Sequence, residues 1–75
     1  MYHTIEFTGD RTLDLEVSPR QPLQRLRIHK GDCLQAQIKP YVAEAEDGPV
    51  EVADLFFADG TISRSVRFES FVFVG

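Results

Sequence analysis

The sequence predicts an all-β fold: a small antiparallel barrel or curled sheet of about five to six strands, with residues 1–75 forming one domain. Three observations carry this. Apolar and polar residues alternate with period two through most of the chain. Clusters of Gly, Pro and Asp punctuate it at the short intervals expected of hairpins. No stretch combines a helical apolar stripe with helix caps.

The first strand reads from "YHTIEFT", where His3, Ile5 and Phe7 alternate with Tyr2, Thr4 and Glu6. In "TLDLEV", Leu13, Leu15 and Val17 alternate with Thr12, Asp14 and Glu16. Parity predicts a hairpin between these two segments over a loop from Gly9 to Arg11, with Phe7 opposite Leu13 and Ile5 opposite Leu15. "SPRQPLQRL" follows, and Pro19 and Pro22 exclude a central strand there. They allow an extended connection or at most one short helical turn near residues 22–27, in which Pro22 leads and Leu23 and Leu26 share a face.

"LRIH" and "CLQAQIK" alternate on either side of Lys30-Gly31-Asp32. The same parity argument pairs Ile28 with Leu34 and sets His29 directly across from Cys33. Pro40 ends or bends that strand, and "AEAEDGP" is an acidic loop. Asp59-Gly60 between apolar runs predicts a hairpin with a type I′ turn, in which Phe57 faces Ile62. Val50 and Val52 have the opposite parity to Leu55 and Phe57, which predicts a bulge near Ala53-Asp54. The closing "SFVFV" is apolar on both faces, so a closed barrel or another subunit should cover it. For this length an SH3-like barrel fits better than an OB-like one.

A domain of this size has a small core, because such a chain buries only roughly 60% of the surface exposed when unfolded. Its usual reinforcements are disulfides, a metal or oligomerisation. One cysteine precludes an internal disulfide, and His3, His29 and Cys33 do not have zinc-ligand spacing. No metal or cofactor is expected; good packing or self-association must serve instead. The N-terminus lacks the basic and apolar regions of a signal peptide, and no apolar run approaches a membrane span. These features, with a reduced thiol, place the expectation in the cytoplasm.

The net charge of −4 is unevenly distributed. From Ser18 to Lys39 there are five basic residues against Asp32 alone, inside an otherwise acidic chain. Arg20, Arg25, Arg27, His29 and Lys30 flank the proline-containing loop, with Lys39 and Tyr41 further along. Arginine grips carboxylate or phosphate through two parallel hydrogen bonds, so this segment is the expected partner-binding face. The competing reading is that these cations balance Glu6, Asp14 and Glu16 within the fold.

His29 opposite Cys33 would make a thiol–imidazole pair, the minimum for thiol chemistry. Nucleophilic catalysis also needs a pocket and an oxyanion hole, and Lys-Gly-Asp is ordinary turn composition. The acidic loop lacks a calcium-loop pattern, and no phosphate-binding, zinc-protease or serine-elbow motif occurs. The expected function is therefore a non-catalytic protein-interaction or regulatory module, in a larger assembly or as a homo-oligomer. It would use the basic segment 20–30 and the apolar C-terminal strand. The alternative is a small nucleic-acid-binding barrel using the basic 20–39 segment, which the net negative charge disfavours.

Overall fold

A computed structural model describes all residues from Met1 to Gly75. Seven strands form: β1 (His3–Phe7), β2 (Arg11–Leu15), β3 (Gln24–Ile28), β4 (Cys33–Ala45), β5 (Gly48–Phe56), β6 (Ile62–Arg67) and β7 (Phe71–Phe73). All pairings are antiparallel, and no α-helix interrupts them. A five-stranded sheet has the order β6-β5-β4-β1-β7, and β2 and β3 form a separate two-stranded sheet. The two sheets meet at one bridge, where Glu16 and Ile62 exchange backbone hydrogen bonds of 2.7 and 3.1 Å. The barrel is not closed, and β7 remains an edge of the larger sheet.

The core explains this arrangement. Ile5 and Phe7 of β1 are fully buried, and in register Ile5 lies between Leu34 of β4 and Phe73 of β7. Leu13 and Ile28 of the small sheet complete a cluster with Ala36, Ala53, Leu55, Val66 and Phe71. Placing β1 centrally surrounds its apolar residues with apolar neighbours on both sides. A sequential β1–β2 hairpin would supply them on one side only.

That constraint overturns two predicted hairpins. β1 pairs with β4 and β7, and β2 pairs instead with β3, with Leu13 opposite Leu26 and Asp14 opposite Arg25. Opposite charges directly across two strands stabilise that pairing, and the local hairpin reading gave them no weight. The Lys30-Gly31-Asp32 turn does form: the Asp32 N–H donates to the His29 carbonyl at 2.9 Å, and Gly31 has φ +92°. Its flanking strands then diverge, because the end of β1 occupies the space between them. Gly31 N–H donates to the Phe7 carbonyl at 2.8 Å, and Phe7 N–H to the Asp32 carbonyl at 2.9 Å. Ile28 consequently faces Arg11, while Cys33 faces Glu6.

The predicted helical turn near residues 22–27 is also absent: residues 24–28 are β3. Leu26 and Ile28 turn toward the core with period two, whereas Leu23 is 57% exposed and shares no buried helical face with Leu26. The single helical turn is a 3-10 turn at Phe68–Ser70, linking β6 to β7. It is fastened by Arg11, whose guanidinium donates to Ser70 Oγ at 2.5 Å, and by the Ser70 hydroxyl bonding to the Arg67 carbonyl.

The β5–β6 hairpin forms with its register shifted by one residue, so that Phe56 faces Ile62. A type I′ turn needs positive φ at both central residues. Asp59 keeps a negative φ and only Gly60 is positive, at +90°. The Asp59 carboxylate accepts from the Thr61 hydroxyl at 2.7 Å and from the Thr61 N–H at 2.9 Å, which holds its pKa below the usual aspartate range. The expected bulge occurs between Ala53 and Leu55. Its extra residue lies on β6, where Arg64 and Ser65 oppose Asp54 and Ser65 takes φ 57°.

The turn that separates β3 from β4 depends on a glycine conformation. Gly31→Ala should lower unfolding stability by about 1 kcal/mol or more. Gly9 has neither a positive φ nor an atom within 4 Å of an added Cβ. Gly9→Ala should therefore hold or raise stability, by about 0.4–1 kcal/mol. Urea denaturation of both variants checks the contrast, and equal losses would refute the role assigned to Gly31.

Candidate protein-interaction site

The expected binding residues do not form one patch. Arg20 sits in the β2–β3 loop, where a turn from Ser18 to Gln21 is closed by a 3.1 Å backbone hydrogen bond. Arg25 lies 3.9 Å from Asp14, and Arg27 lies 3.9 Å from Asp10. His29 belongs to the turn: its N–H donates to Asp32 Oδ2 at 2.8 Å, and its Nδ1 is 3.6 Å from the same oxygen. The Lys30 N–H donates to Asp10 Oδ1 at 2.8 Å, and its ammonium has no acidic partner. Lys39 and Tyr41 are elsewhere, on β4, opposite Asp54 and Val52. The basic segment is thus an exposed hairpin carrying partly compensated charge; of the acids expected to balance it only Asp14 does so, joined by Asp10, while Glu16 pairs with Arg64.

The thiol–imidazole pair does not form. Cys33 is exposed, faces Glu6 across the strands, and its thiol points to the Gly31 carbonyl at 3.7 Å, while His29 is engaged by Asp32. The divergence of β3 from β4 separates the two ladders that would have juxtaposed these side chains.

The sequence reading missed a polar network on the outer face at the bulge. The Asp54 carboxylate accepts from the Tyr41 hydroxyl and from the Ser65 N–H, each at 2.9 Å. The Tyr41 and Ser65 hydroxyls are 2.8 Å apart. Because Tyr41 donates its single proton to Asp54, Ser65 is the donor in that contact. Arg64 Nε donates to Glu16 Oε2 at 2.7 Å and its Nη1 lies 3.5 Å from Asp54, and Glu16 pushes the guanidinium pKa further up. The signal in the sequence was a lone acid inside the apolar run Val52–Phe57, beside the parity break. Its function is structural: it satisfies the backbone donor that the bulge removes from the ladder.

The second overlooked feature is apolar. At one end of the sheet His3, Ile38, Pro40, Phe68, Phe73 and Val74 line a cleft of about 450 Å³. The rings of His3 and Phe73 meet edge-on with centroids 5.5 Å apart, and Phe68 packs on Phe71 at 5.2 Å. Pro40 and Phe68 also border a smaller depression that continues to Tyr41, Val42 and Glu51. Phe71 seals the core, but Val72, Phe73 and Val74 are 49%, 52% and 45% exposed, and Val42 on the β4–β5 arm is 63% exposed. That arm also carries Glu44, Glu46 and Asp47, and none of these acids, nor Glu51, has an ion-pair partner. No group of His, Cys, Asp and Glu has the arrangement of a metal site, and no helix is long and apolar enough to cross a membrane.

Exposed ion pairs of this length contribute about 0–1 kcal/mol. Reversing the charges of Arg25 and Arg27 to glutamate should therefore leave the melting temperature within a few degrees of the original, while eroding any partner contact made by the hairpin. Thermal denaturation checks the first half, and unfolding of the double variant would show these arginines to be structural. Compared with known protein families, curated proteins and solved structures, the chain matches none.

Proposed function

We propose that the protein is a non-catalytic protein-interaction module on an SH3-like barrel, docking partners through the apolar surface at β7 and through the basic β2–β3 hairpin. The strand order supports the SH3-like assignment: β7-β1-β4-β5-β6 runs continuously, a hairpin is inserted between β1 and β4, and a 3-10 turn joins β6 to β7. The observation that carries the function is the half-exposed Val72-Phe73-Val74 segment on an edge strand beside an aromatic cleft. Proteins rarely leave a bare apolar edge, because it templates pairing with another chain. The free thiol of Cys33 supports a reducing, cytoplasmic setting.

The nucleic-acid alternative draws less support. Arg25 and Arg27 face aspartates, and Tyr41 is held by Asp54 rather than presented for stacking on a base.

Selection of a random-peptide display library on the immobilised chain tests the proposal. Apolar extended sequences should be enriched on the native chain and lost on Phe73→Asp, whose half-exposed site leaves the fold intact. Enrichment equal to a blank surface would overturn the proposal. Salt-sensitive retention of single-stranded DNA in its place would transfer the assignment to nucleic-acid binding.

A further inference from the structure

Building on the interaction-module reading, we propose that the occupant of the apolar cleft is the β2–β3 loop of a second copy of this chain, giving a head-to-tail contact. The loop has the form of an anchor. Leu23 stands at the base of the loop, next to the first residue of β3 and beside Asp14, Glu16, Ile62 and Arg64 of its own chain; it is more than half exposed and lies between Arg20 and Arg25 in sequence. Pro19 and Pro22 fix two backbone torsions, and the Ser18–Gln21 turn is already closed, so little chain entropy remains to be lost on docking. Arg20 has no acidic partner, and Arg25 holds Asp14 only at 3.9 Å on an open surface.

The cleft has the complementary form. Its floor is Phe68, Phe73, Ile38 and Pro40, an apolar receptacle for a leucine, and its far rim is Glu51 on the unpaired acidic arm. A leucine flanked in sequence by arginines thus meets an apolar floor with one carboxylate, Glu51, at its rim. A symmetric dimer through the same clefts would instead leave Leu23 exposed and Glu51 of each cleft without a cation. Loop and cleft share no residue, so each chain offers both at once. Such a heterologous contact propagates into a ring or an open row of copies unless something caps it.

Complementation between two defective variants tests this arrangement. Leu23→Asp with Arg25→Glu destroys the anchor and spares the cleft; Phe73→Asp with Glu51→Lys does the reverse. Sedimentation velocity from micromolar to millimolar concentration should show the native chain assembling beyond a dimer, with assembly weakened by salt. Each double variant should remain monomeric, and their mixture should form a dimer that grows no further. In parallel, a synthetic peptide of residues 17–25 titrated into the native chain at a concentration where it is monomeric should shift the amide resonances of Phe68, Phe73 and Glu51. Glu51→Lys should weaken that binding by roughly tenfold or more.

A native chain that stays monomeric and does not respond to the peptide overturns the inference. So does undiminished self-association of the anchor-defective variant, which would assign the contact to symmetric pairing of β7. If a double variant fails to fold, the peptide titration on the native chain decides alone. Library peptides captured at the cleft, together with a silent self-peptide, would refute the head-to-tail contact and leave the interaction module standing. Failure of both would remove the module as well.

Discussion

The exchange of hydrogen bonds between Phe7 and the Gly31–Asp32 turn is the joint on which the rest of the fold depends. It seats the end of β1 in the fork where β3 and β4 part. β4 is thereby committed to the large sheet and β3 to the small one. With β1 central, its outer flank is free for β7, and the C-terminal phenylalanines return to cover Phe7. The long β4 then runs on through Pro40 in unbroken register with β5 and extends with it into the acidic arm. The aromatic cleft is a by-product of this routing: it opens where β1, the middle of β4, the 3-10 turn and β7 converge.

The sequence was most legible where structure is local. Alternation identified the strand segments before Pro40 and after Pro49, but Ala43–Pro49, read as a loop, is the paired end of β4 and start of β5 around a two-residue turn. The turns at Lys30–Asp32 and Asp59–Gly60 fell where expected, and the bulge lies at the expected place with its extra residue on β6. Strand partners were illegible, because parity constrains register only after a partner has been chosen. Leu13 can face Phe7 or Leu26 with equal propriety; a core of nine residues contributed by all seven strands decides between them. The same limitation explains the candidate site. Arg25 and Asp14 are far apart in sequence and become neighbours only through β2–β3 pairing, so a basic stretch on paper becomes a mixed surface in space. Tyr41 and Ser65 likewise meet only across β5.

Charge and apolar surface are segregated in a way composition does not reveal. Most cations lie on or beside the β2–β3 hairpin, unpaired acids gather on the β4–β5 arm, and exposed apolar side chains cluster at β7 and the base of that arm. The bulge network stands apart from these surfaces in chemistry: Asp54 is almost fully buried, with its carboxylate shared among Tyr41, Ser65 and Arg64. Buried polar groups fully supplied with partners fix a local geometry rather than await a ligand.

The single bridge between Glu16 and Ile62 has a thermal consequence. One bridge, the adjoining Glu16–Arg64 ion pair and the Arg11–Ser70 hydrogen bond make a thin polar seam. Leu13 and Ile28, which the small sheet buries in the shared core, are worth about 3–6 kcal/mol together. The hairpin is therefore held down mainly by an interaction that weakens on cooling, whereas the large sheet is also held by a continuous hydrogen-bonded ladder. Chilling loosens the small sheet before the large one, so the fold's cold-sensitive part is the element that carries its basic surface.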